Sequence, residues 1–237
     1  MMVFVILLIA AAIPLHAQYL PDWFLPLREA VYEQCQTPEE IEKIYREITG
    51  KIMQIYSGDT QKVMLSRCEY LMGRAYQDNK RDEEARPHYQ KGIKLAEEVT
   101  KTAPGAQAWL VLAENLSQAC SLGPWPYTIA NGLNVEKFSK NALSYDSRCA
   151  AAKYLIAARW VFAPAPFNNI KKGIEMMQDI FNTCDMGKDD IFDVNSAVGY
   201  AYIQQKKYAD ARPWLIKALD IYPANKYAGE MLKKTEK

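Results

Sequence analysis

The chain has 237 residues, of which 49% are hydrophobic and 24% are charged. This length and balance are typical of one folded domain with a sizeable core, and they exclude a disordered chain. The 29 basic and 28 acidic residues give a net charge of +1, so charge offers no reason to expect nucleic acid or an anionic membrane surface as a partner. A partner would have to be recognised by shape and apolar contact.

The first 17 residues form an uncharged, apolar run that ends in Pro14-Leu15-His16-Ala17. This pattern predicts a secretory signal peptide over residues 1–17, because the run is shorter than the roughly 20 residues of a membrane-spanning helix. No Lys or Arg precedes the run, so an uncleaved anchor is the alternative. We therefore expect a periplasmic or secreted protein that touches a membrane only through an uncleaved N-terminal segment.

Five cysteines are scattered along the chain without C-x-x-C spacing: Cys35, Cys68, Cys120, Cys149 and Cys184. After export they could oxidise, but an odd number leaves at least one of them unpaired. Two interpretations stay open, namely small apolar side chains buried at helix contacts and a single disulfide.

Two helices are predicted within residues 18–59. The first runs from Pro26 to about Gln36 and is rich in large apolar side chains. The second begins at Thr37-Pro38-Glu39-Glu40, which supplies a Thr cap, a Pro in the first turn and acidic residues at the positive end of the helix dipole. This pair is predicted to be either a degenerate first repeat or an N-terminal cap.

Gly73 and Gly199 each begin the same spacing of residue types. In both copies the Gly is followed by two residues and a Tyr, then by an Ala twelve residues after the Gly, then by a large apolar residue four further on. Small residues at these positions let two antiparallel helices pack closely. The spacing resembles the tetratricopeptide (TPR) pattern G-x2-Y…A-x3-F, and the later copy adds the terminating Pro223 of that pattern.

The resemblance implies an all-α fold, a right-handed α-α solenoid of about four TPR-like helical hairpins with N-terminal extra helices and a C-terminal capping helix. The hairpins are expected at residues 60–100, 104–146, 147–184 and 189–223, and the capping helix at residues 224–237. Together with residues 18–59 they are predicted to form a single domain.

The second and third repeats are longer than the pattern, with extra residues at 121–133 and 162–167. Both segments combine Pro with aromatic residues, namely Trp125, Tyr127, Phe162 and Phe167. One hypothesis places these rings on exposed, Pro-stiffened loops along the same edge of the solenoid, where they would grip a partner at little cost in entropy. The alternative is that the rings fold back over hydrophobic gaps left by the longer turns.

In TPR stacks the first helix of each hairpin lines the concave groove. The resemblance implies a lining of Arg67, Tyr70, Arg74, Gln77, Leu110, Glu114, Ser117, Tyr154, Ala158, Val161, Ser196, Tyr200 and Ile203. This lining suits an apolar ligand or the side of a helix better than an acidic peptide tail, which would need several Lys or Arg together. The candidate binding residues are thus Tyr70, Arg74, Leu110, Glu114, Trp125, Tyr127, Tyr154, Phe162, Phe167, Tyr200 and Ile203.

Motifs for catalysis or metal binding do not occur in the sequence. The mature chain would contain one histidine, His88, which cannot build a two-histidine metal site and is predicted to be a packing or solvated residue. Carboxylate pairs such as Asp189-Asp190 are predicted to be helix caps and surface charges. We therefore expect no enzyme, no cofactor and no metal, and we keep an unrecognised cell-wall enzyme only as a third hypothesis.

A narrower resemblance rests on the run Ala157-Ala158-Arg159-Trp160-Val161-Phe162-Ala163-Pro164 and the enlarged turn after it. A signal-bearing chain of four repeats with this run is similar to the periplasmic TPR component associated with bacterial TRAP transporters, and more distantly to microtubule-dynamics regulator proteins. The resemblance implies a hydrophobic channel and a solute-binding protein as partner. This chain lacks the anchoring cysteine of those lipid-anchored proteins.

The main functional hypothesis is an exported TPR scaffold that binds a protein partner through its concave groove and its inserted aromatic loops. The alternative is a carrier of a small hydrophobic ligand that works with a transporter and its solute-binding protein.

Overall fold

The computed structural model describes residues 20–236, and the predicted signal peptide lies outside them. Within these residues the chain forms eleven α-helices, with short 3-10 turns at Asp22–Phe24 and Lys234–Glu236. The described part contains no strand and has only one isolated bridge, between Cys149 and Asp185. The predicted all-α class is confirmed.

The helices are α1 (Leu25–Glu33), α2 (Pro38–Ile55), α3 (Gly58–Asp78), α4 (Asp82–Thr102), α5 (Ala106–Leu122), α6 (Trp125–Tyr145), α7 (Ala150–Phe162), α8 (Ile170–Thr183), α9 (Lys188–Gln204), α10 (Tyr208–Ile221) and α11 (Lys226–Lys233). Helices α3 to α10 pack in successive pairs, and α3, α5, α7 and α9 also contact one another in series. This arrangement is a helical solenoid built from stacked hairpins.

The predicted close crossings of paired helices are present in both motif copies. A Cβ atom added to Gly73 would lie 2.5 Å from Cε1 of Tyr89, and one added to Gly199 would lie 2.6 Å from Cγ of Leu215. Tyr89 and Leu215 are fully buried. The glycines are therefore required by the approach of α4 to α3 and of α10 to α9.

Helix α2 begins where the sequence predicts. The backbone N–H of Glu40 donates to Oγ1 of Thr37 at 3.3 Å, and the N–H of Thr37 donates to Oε2 of Glu40 at 2.8 Å. This reciprocal pair is a capping box, which satisfies backbone donors that the first helical turn leaves free. It fixes the boundary between α1 and α2.

The predicted loop within residues 121–133 is wrong. Helix α5 continues to Leu122, and α6 begins at Trp125, so Trp125 and Tyr127 stand on the first turns of a helix. Pro126 occupies the start of α6, where its missing N–H removes no helical hydrogen bond. The prolines therefore start a helix here and do not hold an exposed loop. In the third repeat, by contrast, α7 ends at Phe162 and the residues up to Asn169 form a turn.

The two ends of the solenoid meet, which the sequence did not predict. The ring of Tyr32 in α1 stacks on Tyr222 with centroids 5.1 Å apart and meets the edge of Phe192 at 5.6 Å. Asn225 donates to the carbonyl oxygen of Tyr32 at 2.7 Å, and the N–H of Lys226 donates to Gln34 Oε1 at 2.8 Å. Helix α1 thus holds the two ends of the solenoid together.

All five cysteines are free thiols in the structure, and Cys68, Cys120 and Cys149 are buried. These three agree with the interpretation of cysteine as a small packing residue, whereas Cys35 is exposed and Cys184 is only partly buried. Among residues 20–236, no helix has both the length and the apolar character that crossing a bilayer requires.

Candidate functional site

The concave side of the solenoid holds a partly open cavity of about 810 Å³. Its walls come from α3, α5, α7 and α9, with further residues from α1, the first half of α6 and the start of α11, while α4, α8 and α10 contribute none. The first helices of the hairpins therefore line the cavity, as the repeat pattern implies. The volume falls within the range of about 300–1,000 Å³ that is typical of small-molecule sites.

Most of the candidate binding residues line this cavity: Tyr70, Arg74, Leu110, Glu114, Trp125, Tyr154, Phe162 and Phe167. Arg67, Gln77, Ser117, Ala158 and Ser196, which were predicted from the groove pattern alone, line it as well. The structure thus gathers side chains from four repeats around one space.

Three candidate binding residues lie outside the cavity lining. Tyr127 packs against the backbone turn at Gly123, where an added Cβ would be 2.6 Å from the Tyr127 ring. Tyr200 stacks on Phe162 with centroids 5.1 Å apart, so it supports a lining residue from behind. Ile203 packs in the cluster of Leu215 and Met231. The TPR pattern predicted Tyr200 and Ile203 to line the groove. This prediction is wrong because α10 and α11 cover the C-terminal end of α9. Val161 is buried against α8 and α9 for a similar reason.

Exposed apolar side chains border the cavity, and we call them the aromatic rim: Trp125, Ile129, Leu133, Phe162 and Phe167. Each is between 46% and 63% exposed. The rings of Trp125 and Phe167 lie 6.4 Å apart, so the structure brings the two unusual segments of the sequence together on one edge. Trp125 and Phe167 are about half exposed, whereas Phe162 packs one face on Tyr200. Five exposed apolar side chains in one place are unusual on a soluble surface and indicate a binding region.

A second part of the lining is charged. Arg28 Nε lies 2.5 Å from Asp189 Oδ2, and the Tyr32 hydroxyl donates to Asp193 Oδ2 at 2.9 Å. These contacts join α1 to α9 beside the cavity. The prediction that Asp189 and Asp190 are merely caps and surface charges is therefore incomplete. Asp190 does cap α9, accepting from the N–H of Gly187 at 2.9 Å, but both carboxylates also line the cavity.

The cavity carboxylates are hard to ionise. Burial raises the pKa of Glu114 to about 7, against the opposing effect of Arg67. Burial likewise raises the pKa of Asp193 to about 7, partly offset by Arg74, and that of Asp190 to about 6, partly offset by the Gly187 N–H. Removing a carboxylate from water disfavours its charged form, so the pKa values of these three groups lie close to neutral pH. A cation placed among them would favour their ionised form.

We expect the free protein to become less stable as pH rises from 5.5 to 8. A carboxylate whose pKa is raised in the folded state holds its proton better when folded, so its contribution to stability is present at the lower pH and is lost as pH passes the folded pKa. For Glu114, with a folded pKa of about 7, the loss is about 2 kcal/mol over this interval. Carboxylates with a lowered pKa, such as Glu98 and Glu136, change the pH dependence of stability only at pH values below this interval.

Urea unfolding of wild type and of Glu114→Gln at both pH values measures this contribution. The variant lacks the titrating group, so its pH dependence should be smaller by about 2 kcal/mol. An equal pH dependence in both proteins would show that Glu114 titrates normally.

Sequence reasoning missed Arg28, Tyr32, Asp189 and Asp193, because the closure of the ends brings α1 to α9. One signal was present. Asp189, Asp193 and Ser196 recur at helical spacing along a helix whose buried positions are mostly apolar. Polar residues on the buried face of such a helix indicate that this face meets something polar.

Groups that could ligate a metal do not converge in the described part of the chain, where no three His, Cys, Asp or Glu side chains meet. His88 lies away from the cavity and bonds through Nδ1 to Glu69 Oε2 at 2.7 Å. Glu69 also accepts from Tyr45 at 2.6 Å and pairs with Lys91, so His88 belongs to a structural network between α2, α3 and α4.

The family model of the tetratricopeptide repeat matches residues 70–99 and 193–225. These ranges cover most of the α3–α4 hairpin and of the α9–α10 hairpin, which carry the two motif copies. The matches support a TPR protein, and such repeats commonly act as scaffolds for protein interactions. No curated protein matches the chain. The narrower resemblance to transporter-associated proteins gains no support from these comparisons.

Proposed function

We propose that this repeat protein is an exported binding protein that holds a small, largely apolar ligand in its cavity and catalyses no reaction. The observation that carries the proposal is the cavity of about 810 Å³ on the concave side, where Arg28 and Tyr32 of α1 add to the walls formed by α3, α5, α7 and α9. A concave space of this size suits a molecule of a few tens of heavy atoms.

The chemistry of the lining supports an apolar ligand with a polar group. Leu110, Leu155 and Ala158 provide apolar wall, and Tyr70 and Tyr154 add ring surface that carries a hydroxyl. Pockets for small molecules are mostly apolar, with a few polar groups that fix the orientation of the ligand. The apolar wall of the cavity fits this description, and its polar groups include both carboxylates and guanidinium groups.

A second candidate function is docking of a protein partner at the aromatic rim. The rim is exposed, apolar and stiffened by Pro164, features that favour tight contact with little loss of entropy. A solute-binding protein of a transporter is the partner that the narrower resemblance suggests. The two functions are compatible, because a partner at the rim would sit at the edge of the cavity and could receive its ligand.

Filling the cavity should abolish ligand binding. Ala158→Trp places an indole into the lining of α7, and we expect binding of the neutral fluorescent probe N-phenyl-1-naphthylamine and of decanol to fall at least about tenfold. Titration by fluorescence and calorimetry measures both affinities. Ala209→Trp, on the exposed face of α10 and outside the lining, is the matched control and should bind as wild type.

Circular dichroism of both variants establishes that they are folded. Equal affinity of Ala158→Trp and wild type would place the bound probe elsewhere and refute the cavity as the ligand site. Failure of the wild type to bind either probe would refute the proposed function itself.

A further inference from the structure

The cavity contains more carboxylates than the arginines beside them can neutralise. Its lining includes the carboxylates of Asp78, Glu114, Asp189, Asp190 and Asp193 and the guanidinium groups of Arg28, Arg67, Arg74 and Arg159. Arg159 forms its ion pair with Glu136, which lies outside the lining. Three arginines therefore remain for five acidic side chains, and the lining favours positive charge.

The arginines are also engaged by protein groups. Arg28 contacts Asp189 at 2.5 Å, Arg67 donates to Gln107 Oε1 at 2.6 Å, and Arg74 lies 3.5 Å from Asp78. A ligand with a carboxylate or phosphate head group would have to compete for these cations. The lining is thus a poor match for an anionic ligand.

Two buried oxygen atoms of the lining have no hydrogen-bond partner in the described part of the chain. They are Oε2 of Glu114 on α5 and Oγ of Ser196 on α9. Ser196 is 5% exposed and follows Asp193 by one helical turn, so its side chain stands on the same face of α9 as the carboxylates. An unsatisfied buried polar atom costs about 1–3 kcal/mol, and a bound ligand would remove that cost.

We propose that the cavity binds an amphiphile with a protonated amine head group, that Glu114 accepts a hydrogen bond from the ammonium, and that the carboxylates of α9 hold its charge. This inference rests on the proposed function, since it names the class of ligand that the same cavity takes. An alkylammonium group carries three N–H donors and one positive charge, which matches an unpartnered carboxylate oxygen surrounded by further acids. The groups that face Glu114 are Arg28, Arg67, Asp189 and Asp190.

An organic cation fits this site better than a metal ion does. In residues 20–236, no set of three carboxylate, thiol or imidazole groups converges as metal ligands do. Leu110, Leu155 and Ala158 form an apolar wall that an alkyl chain would cover. A metal ion would leave this wall exposed to water.

Three ligands with the same ten-carbon tail test the head group: decylamine, decanoate and 1-decanol. At pH 8, where the amine is protonated and the acid is ionised, calorimetry should give a dissociation constant for decylamine at least about tenfold below that for decanoate. In Glu114→Gln the affinity for decylamine should fall about tenfold, and that for decanol should not change. Glu97→Gln, an exposed position on α4, is the matched control and should behave as wild type.

A second measurement uses the wild-type protein alone. Lowering the pH from 8 to 5.5 protonates Glu114 and Asp193, so the preference for decylamine over decanol should shrink severalfold. This readout holds even if Glu114→Gln fails to fold.

The outcomes separate the two proposals. If decanol and decanoate bind as well as decylamine does, or if Glu114→Gln keeps the full preference for the amine, the head-group inference is wrong and the cavity remains a ligand site. If none of the three ligands binds the wild type, both proposals fail.

Discussion

Replacing Tyr32 with alanine is expected to lower the free energy of unfolding by about 3–5 kcal/mol, the range seen when a large buried aromatic side chain is removed. Tyr32 is 4% exposed and packs against Phe192 and Tyr222, while its hydroxyl donates to Asp193 at 2.9 Å. The substitution would leave a void where the N-terminal and C-terminal parts of the solenoid meet. It would also leave the Asp193 carboxylate without this donor.

Tyr32→Phe separates packing from hydrogen bonding. The ring stays, so the loss should be limited to about 1–2 kcal/mol for the unpaired acceptor. Tyr145→Ala, at a position that is 57% exposed on the last turn of α6, should change stability by no more than about 0.5 kcal/mol. Guanidinium unfolding followed by circular dichroism gives all three values. Equal, small losses in Tyr32→Ala and Tyr145→Ala would mean that α1 does not hold the two ends of the solenoid together.

Gly73→Ala is expected to lower the free energy of unfolding by about 1–3 kcal/mol, although alanine is the better helix former. The new methyl group would lie 2.5 Å from the Tyr89 ring. That ring cannot move aside easily, because Tyr89 is fully buried and its hydroxyl donates to Gln77 Oε1 at 2.7 Å. The strain of overpacking therefore exceeds the gain in helix propensity.

Gly50→Ala is the matched control, because Gly50 lies within α2 and an added Cβ would meet no atom within 4 Å. This substitution should raise stability by about 0.5–1 kcal/mol through helix propensity alone. The opposite signs of the two changes are the critical result. If Gly73→Ala stabilised the protein as much as Gly50→Ala does, α3 and α4 would not cross at Gly73.

Local sequence patterns predicted the repeat architecture because each pattern reports contacts within one or two helices. The start of α2 follows from the Thr37 cap, and the hairpin crossings follow from the spacing between Gly73 and Tyr89 and between Gly199 and Leu215. Such contacts span few residues, so composition and spacing are sufficient to identify them.

The closure of the ends could not be predicted in this way. The bond from Asn225 to the Tyr32 carbonyl joins residues 193 positions apart, and it depends on the total curvature that the stacked repeats accumulate. The charged part of the cavity depends on the same contact between the ends. No local pattern in the sequence therefore indicates that Arg28 and Asp189 lie together. At Trp125, prolines indicated a loop, but Pro is equally suited to the first turn of a helix.

Native mass spectrometry of the protein purified without detergent tests most directly whether the cavity holds a ligand. We expect a fraction of the wild-type protein to carry a bound hydrophobic molecule of a few hundred daltons, which organic extraction removes and which is absent from Ala158→Trp. Protein at its bare mass that also fails to bind decylamine, decanoate and decanol in titration would contradict a ligand-binding role for the cavity.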